Sequence, residues 1–381
     1  MMLDLINELY IHFNATGRKF LSTKEYIDSS SKYSESVRER HSSYGRFENL
    51  TWRRVEEELS HLSEAEDSIL FPSGMNAIFS IIMVFLKAND VLIINKPIYA
   101  ETPSLFAKLS DKIGFKIITI SCIDQDALIE KIEKNANNLK MVFLEIPTNP
   151  YLFFIDIERV RKVLHEDTLL VADSSLASPV DFSPIKYGAD LVAISCSKYL
   201  SGHDDFILGH VAGRTELILK LKVFRDFTGN IPGVMESYLL SRSLKTLVLR
   251  MKYINSLGLK IAQFLTTQPK IEQVYYTGVE DHPHYEIAKK YVKGYGGLIF
   301  FVLDADNKQT QQFIYNLKIP KITSNFGTPY SIVEQVAYSM SDPKIFENTE
   351  PFPDNLVRLS VGFLDNADEI INDLEQALLK M

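Results

Sequence analysis

From Thr51 to Leu62 the run TWRRVEEELSHL places apolar residues at Trp52, Val55, Leu59 and Leu62, the spacing of a helix with one buried stripe. Beyond it the chain alternates short apolar runs with longer amphipathic ones. Strand-like DSILF precedes helical NAIFSIIMVFL, VLIIN precedes SLFAKLSDKIG, KIITIS precedes DALIEKIEKNA, and MVFLEI precedes DIERVRKVLHE; TLLVAD then leads to the run LVAI at residues 191–194. Runs apolar at nearly every position are expected of strands covered on both faces. Their alternation with helical stretches predicts an α/β fold with a mainly parallel, doubly wound sheet. No GxGxxG follows a strand, so that dinucleotide signature is absent.

After Arg214 the pattern turns to long helices, LILKLKVFRDF and SYLLSRSLKTLVLRMKYINSLGLKIAQFL, which carry the chain out of the first domain. GGLIFFVLD, QTQQFIYNL, LVRLSVGFL and DEIINDLEQALLKM then predict a smaller C-terminal α/β domain. The first residues are polar, with serines concentrated at 29–43, and read as an arm with little core of its own that either stays loose or packs on another surface, a partner subunit being the candidate. The expected division is an arm over 1–45, a large domain over 46–245 and a small domain over 246–381.

Composition narrows the function. A chain of 381 residues, 46% hydrophobic, buries a large core, and 41 basic against 49 acidic residues give a net charge of -8. That balance argues against nucleic acid or an anionic membrane as partner and leaves small-molecule chemistry. No apolar run approaches the roughly 18 residues of a membrane span, and Met1 to Phe13, with Asp4 and Glu8, lacks the pattern of a secretion signal. Two cysteines, Cys122 and Cys196, support neither a disulfide framework nor a cysteine metal cluster, so a reducing cytoplasm is expected. The eight histidines lack ligand spacing, His282-Pro-His284 reads as a polar turn, and no metal site is expected.

Candidate chemistry gathers where strands end. LVAI delivers Ser195, Ser197 and Lys198 onto the loop beyond its carboxyl end, the edge at which open α/β sheets bind ligands. A lysine beside hydroxyls that hold a phosphate suits a Schiff-base role, because partial burial lowers the amine's pKa and frees its lone pair; a solvated surface lysine is the plain alternative. In Phe71-Pro-Ser-Gly-Met75, Gly74 lets backbone N–H groups approach an anion at a helix N-terminus, unless the turn is only a loop. Tyr99 after VLIIN either covers a flat heteroaromatic ring or lies on the rim. Asn149 in EIPTNP either bonds a ligand oxygen or makes an Asn-Pro turn. Asp173 ends LLVAD, where a carboxylate is costly without a cation or strong donor; a pyridinium N–H would satisfy it, as would a helix N-terminus. Arg358, inside apolar VRLSVGF, needs either a ligand carboxylate or a structural salt bridge. Cys196 reads as packing rather than as a nucleophile.

In this order the stretches resemble the Cys/Met-metabolism family of pyridoxal 5′-phosphate enzymes, the group of cystathionine γ-synthase, cystathionine γ-lyase and methionine γ-lyase. SCSKYLSGHDDFILGHVAG is similar to the family's S-x-T-K-Y-x-x-G-H-x-D-x-x-x-G signature, and FPSGMNAI, EIPTNP, VADSSLASP and VRLSVGFLD follow as they do there, from about Tyr44 to the C-terminus. The resemblance implies the fold-type I architecture of pyridoxal phosphate enzymes. It implies that Lys198 binds the cofactor and shuttles protons, that Asp173 keeps the ring nitrogen protonated, and that Tyr99 stacks on the ring. Gly74, Met75, Ser195 and Ser197 would hold the phosphate, Asn149 would face the ring hydroxyl, and Ser324 and Arg358 would take the substrate's α-carboxylate. Tyr44 and Arg46 would reach the phosphate of a neighbouring subunit, making the enzyme a homodimer or homotetramer with shared active sites.

Departures from the family text fall at the pocket. Asn-Pro-Thr after the arm's arginine reads Glu48-Asn49-Leu50-Thr51, and Asn-Thr-Phe after the cofactor aspartate reads Ser174-Ser175-Leu176. A distal arginine is Ser104, and the S-L-G-G-x-E run reads Ser324-Asn-Phe-Gly327-Thr-Pro329, without its glutamate. Such a pocket is not expected to recognise cystathionine in the usual way, since an unmatched zwitterionic tail is costly to desolvate. The expected activity is elimination or replacement at Cγ or Cβ of a sulfur-containing or O-activated amino acid, as in a cystathionine γ-synthase. The alternatives are γ-elimination releasing a keto acid and ammonia, a non-catalytic scaffold on the same fold, and an aminotransferase.

Overall fold

The computed structural model describes residues 45–135, 138–339 and 352–381. Seven strands build the larger sheet: β1 (Asp67–Phe71), β2 (Val91–Lys96), β3 (Lys116–Ser121), β4 (Leu139–Glu145), β5 (Leu169–Asp173), β6 (Leu191–Ser195) and β7 (Gly209–Gly213), in the order β1-β7-β6-β5-β4-β2-β3. Neighbours from β6 to β3 are parallel, while β7 runs antiparallel to both β1 and β6. Each apolar run divides its side chains between the two faces. Met141 and Phe143 of β4 join one core cluster and Val142 and Leu144 another, and Leu191 and Ala193 of β6 likewise part from Val192 and Ile194. Both faces are therefore buried, which is why the runs read as continuous rather than alternating.

Helices α1 (Leu50–Leu62), α2 (Gly74–Phe85), α3 (Glu101–Ile113), α4 (Gln125–Lys134), α5 (Ile157–Val163) and α6 (Thr215–Thr228) supply the covers. Side chains of α2, α3 and α6 fill one face, and those of α4 and α5 fill part of the other. A buried ion pair ties α1 to α6: Arg225 meets Glu56 at 2.5 Å, and the same Glu56 oxygen accepts the N–H of Leu70 in β1.

The expected helix over 237–265 is two helices, α7 (Val234–Leu244) and α8 (Leu247–Thr266). At the turn between them, Arg250 of α8 reaches back to the carbonyls of Ser243, Tyr199 and Leu200 at 3.0, 2.7 and 3.1 Å. The helix pair thus grips the turn that follows Lys198. Gly202 is required there: it adopts φ +68, and a Cβ would stand 2.0 Å from the Arg250 guanidinium.

A second sheet is ordered β10-β11-β12-β9-β8, from β8 (Ile271–Tyr275), β9 (Leu298–Leu303), β10 (Lys321–Ile322), β11 (Ile332–Gln335) and β12 (Leu356–Ser360). Only β10 and β11 pair in parallel. With it go α9 (Tyr285–Tyr291), α10 (Asn307–Asn316), α11 (Val336–Ser339) and α12 (Ala367–Leu379). One hydrophobic cluster runs from Val192 and Ile194 through Met251 and Ile254 of α8 to Phe300 and Val357, joining this sheet to the larger one. The His282 turn is not polar, since both histidines are buried. His282 Nε2 meets the Tyr151 carbonyl at 2.9 Å and His284 Nε2 that of Ile123 at 3.0 Å, so the rings close backbone gaps between segments distant in sequence.

Replacing Glu56 by alanine leaves the Arg225 guanidinium buried without its anion, and should cost about 3 kcal/mol in a chemical-denaturation experiment. The double change Glu56→Leu with Arg225→Met should recover only part of that loss, because the Leu70 N–H and carbonyl lose their partners as well.

Candidate active site

The parallel strands end together, β4 on Glu145, β5 on Asp173 and β6 on Ser195, and the register sets Glu145 beside Asp173. Above that edge is a cavity of about 710 Å³, lined by Gly74, Met75, Tyr99, Asn149, Asp173, Ser195, Ser197, Lys198, Ser324 and Arg358. Residues scattered over both predicted domains therefore share one space. Arg46 is not part of this lining; its guanidinium donates to the Asp226 carbonyl and lies 4.6 Å from the Phe47 ring centre. Tyr44 lies outside the described residues.

One end of the cavity is built for an anion. Ser73 caps α2 by accepting the Asn76 N–H at 3.0 Å, which leaves the first N–H groups of the helix, Gly74 and Met75 among them, facing outward. The turn can lie this close because neighbouring positions lack side chains: a Cβ on Gly209 would sit 2.4 Å from the Ser73 carbonyl, and one on Gly74 3.0 Å from Ser195 Cβ. Ser195 closes the same corner, its own N–H donating to the Ser175 hydroxyl at 2.8 Å. Ser197 closes the lysine loop, its hydroxyl donating to the Leu208 carbonyl and accepting the Leu208 N–H at 3.1 Å.

The floor is acidic. Asp173 is buried and its carboxyl is pushed up by desolvation, against the opposing hydrogen bonds of Ser175, whose N–H it accepts at 2.9 Å. No cation compensates it among the described residues. Glu145, more deeply buried, is pushed well above the usual carboxylate range by desolvation and by Asp173. It accepts the N–H groups of Tyr99, at 3.0 and 3.2 Å, and of Asn149, at 2.5 Å, and so fixes two cavity residues at once. The Asn149 side-chain oxygen is buried without a hydrogen-bond partner among the described residues. Tyr99 is 40% exposed, leaving its ring free to meet a ligand from the rim.

Lys198 enters from the turn after β6. Burial and Arg358 lower its amine to about 8, against Asp204 and Glu334, which raise it. Its Nζ donates to Asn325 Oδ1 and lies 5.0 Å from the Phe326 ring centre. Arg358 on β12 forms a buried ion pair with Glu334, its register partner on β11, and also donates to the Asn325 carbonyl at 3.4 Å. Glu334 thus reaches the pocket from β11, while the 324–329 loop supplies no glutamate to it. Ser104 turns back on its own helix, donating to the Ala100 carbonyl at 3.0 Å. Cys196 is fully buried, its thiol pushed up by desolvation, consistent with packing.

These features suit one ligand. A phosphate fits the α2 terminus, a pyridinium N–H would satisfy Asp173, a ring hydroxyl would meet the unpartnered Asn149 oxygen, and a deprotonatable amine waits at Lys198. The donor set therefore fits pyridoxal phosphate. Sequence reading passed over Glu145, Ser175, Asn325 and Glu334. Glu145 carried the same signal as Asp173, a carboxylate ending an apolar strand, whereas Glu334 and Asn325 enter only through strand register and loop packing.

Residues 9–379 match the family model described as Cys/Met metabolism PLP-dependent enzyme. The chain is 37% identical over 369 residues to a probable cystathionine gamma-synthase 2 of Arabidopsis thaliana, covering 96% of this chain and 87% of that one. It is 36% identical over 344 residues to an L-methionine gamma-lyase of Fusobacterium nucleatum, covering 89% and 86%. Among solved structures, cystathionine gamma synthase of Xanthomonas oryzae pv. oryzae, in complex with aminoacrylate and cysteine, superposes with TM-score 0.84 at 28% identity, over 90% of this chain and 88% of that one.

In the cofactor-free protein, competitive acetylation of Lys198 followed by mass spectrometry should rise with pH through a midpoint of about 8, because only the neutral amine reacts and burial stabilises it. A midpoint at the ordinary lysine value would contradict the desolvated setting.

Proposed function

The chain belongs to the Cys/Met metabolism family of pyridoxal phosphate-dependent enzymes, and on that premise we propose that it catalyses elimination or replacement at the γ or β carbon of a sulfur-containing or O-activated amino acid, in the manner of a cystathionine γ-synthase. The observation that carries this reading is the buried Lys198 amine, lowered to about 8, in one cavity with Asp173 and Asn149.

When bound, pyridoxal phosphate supplies an electron sink for the pair left at Cα on loss of its proton. Asp173 keeps the ring nitrogen protonated, Asn149 accepts from the ring hydroxyl, and Tyr99 covers the ring from the rim. Gly74, Met75, Ser195 and Ser197 hold the phosphate. Ser324 and Arg358 orient the substrate through its α-carboxylate, with Glu334 fixing the guanidinium from the far side. Lys198 takes the Cα proton as a neutral amine. Loss of a γ substituent also requires a Cβ proton to leave, and Lys198 and the Tyr99 phenol are the groups at hand. Desolvation by burial and nearby carboxylates raise the Tyr99 phenol, so at neutral pH it is protonated and works as a donor first.

The reading extends to a homodimer or homotetramer in which Tyr44 and Arg46 complete the phosphate site of a neighbour, and to a cytoplasmic setting. Its support is that Arg46 lies outside the lining of its own chain's cavity, and that no described helix is long and apolar enough to cross a membrane. Residues 1–45 would be the arm, 46–245 the cofactor domain and 246–381 the small domain. The named relatives divide between synthase and lyase, so γ-elimination to a keto acid and ammonia stands as the second reading.

Lys198→Ala should abolish turnover and the visible absorption of the bound cofactor, and retention of both would refute the assignment. With O-acylhomoserine as substrate, a thioether formed only when cysteine is present identifies replacement, while keto acid and ammonia with or without cysteine identify elimination. Arg46→Ala should weaken cofactor affinity about tenfold, by loss of a charge-assisted phosphate contact. Unchanged affinity would contradict the shared site.

A further inference from the structure

The loop over 324–330 is bound to the lysine turn by more than packing. Gly327, at φ +69, lies against the backbone of Lys198 and Tyr199: a Cβ there would stand 2.7 Å from the Lys198 carbonyl carbon and 2.6 Å from the Tyr199 nitrogen. Phe326 is buried beside the lysine's ammonium position, 5.0 Å away. Between these contacts runs a chain of hydrogen bonds. Lys198 Nζ donates to Asn325 Oδ1, Asn325 Nδ2 donates to Asp204 Oδ1 at 2.7 Å, and the Tyr330 hydroxyl donates to Asp204 Oδ2 at 3.0 Å. The polarity of this chain has one solution. Asp204 accepts only, so the amide must show it the NH₂, and the oxygen is thereby turned to the lysine.

We propose that Asn325 is a further catalytic residue, the acceptor that captures the free amine of Lys198 and aims its lone pair, with Asp204 and Tyr330 as the positioning residues that orient the amide. The proposal rests on Lys198 being the cofactor lysine. A neutral amine has two N–H bonds and one lone pair, so committing an N–H to a fixed oxygen stops rotation about Cε–Nζ and confines the lone pair to the two remaining tetrahedral directions. An uncharged acceptor is needed because a carboxylate in contact would favour the ammonium, which cannot attack. Asp204 is kept one side chain away, and the other charges that act on the amine are Arg358 of β12, which lowers it, and Glu334 of β11, which raises it. The amine's first covalent task is cofactor capture. In that step the Lys198 nitrogen bonds the aldehyde carbon, and the aldehyde oxygen leaves as water with the two amine protons, without change of oxidation state.

Cofactor capture tests this directly. Full-length protein freed of cofactor is mixed with pyridoxal 5′-phosphate, and the rise of visible absorption is followed by stopped flow across pH; pyridoxine 5′-phosphate, which has no aldehyde, measures the non-covalent site separately. Asn325→Leu should slow capture at least about tenfold, an orientation effect, with pyridoxine phosphate affinity unchanged. Asn325→Asp should move the pH midpoint upward, since a contacting anion stabilises the ammonium, and Asp204→Asn should move it downward, since Asp204 raises the amine in the native protein. Opposite shifts from two near-isosteric changes are not produced by simple loosening of the loop. Capture in Asn325→Leu at the native rate, midpoints unmoved in both other variants, or a loss of capture matched by an equal loss of pyridoxine phosphate affinity would overturn the proposal. Wild-type protein that binds pyridoxine phosphate but never captures the aldehyde would instead refute the role of Lys198 on which it rests.

Discussion

A lysine amine held out of water is the constraint on which the site depends. In solvent the amine of Lys198 would be an ammonium at neutral pH, hydrated and unreactive. Burial removes that hydration and brings its pKa to about 8, a value at which the free base is populated without strong alkali. Keeping it there takes several elements at once. Arg250 of α8 grips the carbonyls after the lysine, Ser197 closes the loop on Leu208, and the 324–330 loop presses Gly327 against the turn. The second sheet is therefore a wall of the site as well as a separate layer of structure.

The carboxylates below the amine obey the same physics with the opposite sign. Glu145 and Asp173 end adjacent strands and are both pushed toward their neutral forms by burial. Glu145 spends its hydrogen-bonding capacity on the backbone of Tyr99 and Asn149, whereas among the described residues Asp173 has only Ser175. The asymmetry decides their roles. Glu145 is a satisfied structural group, and Asp173 is an acceptor awaiting a cationic donor. A pyridinium N–H would supply the missing charge, so on the proposed reading cofactor binding and relief of a desolvation penalty would be one event. The Arg358–Glu334 pair is likewise buried, but compensated within the protein, which fixes the orientation of the guanidinium at the cavity wall.

Much of this architecture was legible in the chain. Continuous apolar runs marked the parallel strands because both faces are covered, and the strand ends marked Asp173 and Ser195 because open sheets bind ligands at that edge. What escaped notice lacked a local signal. β7 is a five-residue strand, GHVAG, whose glycines serve close approach to the Ser73 turn and the Asp190 carbonyl rather than strand propensity. The break between α7 and α8 falls in a good helical pattern, and Arg250, just beyond it, reaches back to the Ser243 carbonyl and on to the lysine turn. His282-Pro-His284 reads locally as a polar turn, yet both histidines are buried and meet carbonyls of segments more than a hundred residues away.

By itself, then, the sequence determined the alternation of strands and helices and the small-molecule chemistry, and pointed to Lys198 as the candidate amine, because those depend on local pattern and on residue type at strand ends. Only the tertiary structure decided what surrounds that lysine. Asn325, Asp204 and Tyr330 meet it through loop packing, and Glu334 meets Arg358 through an antiparallel register. Contacts between residues on separate elements leave no periodicity to read, since each residue alone is compatible with solvent and acquires its role only when the fold removes the water between them.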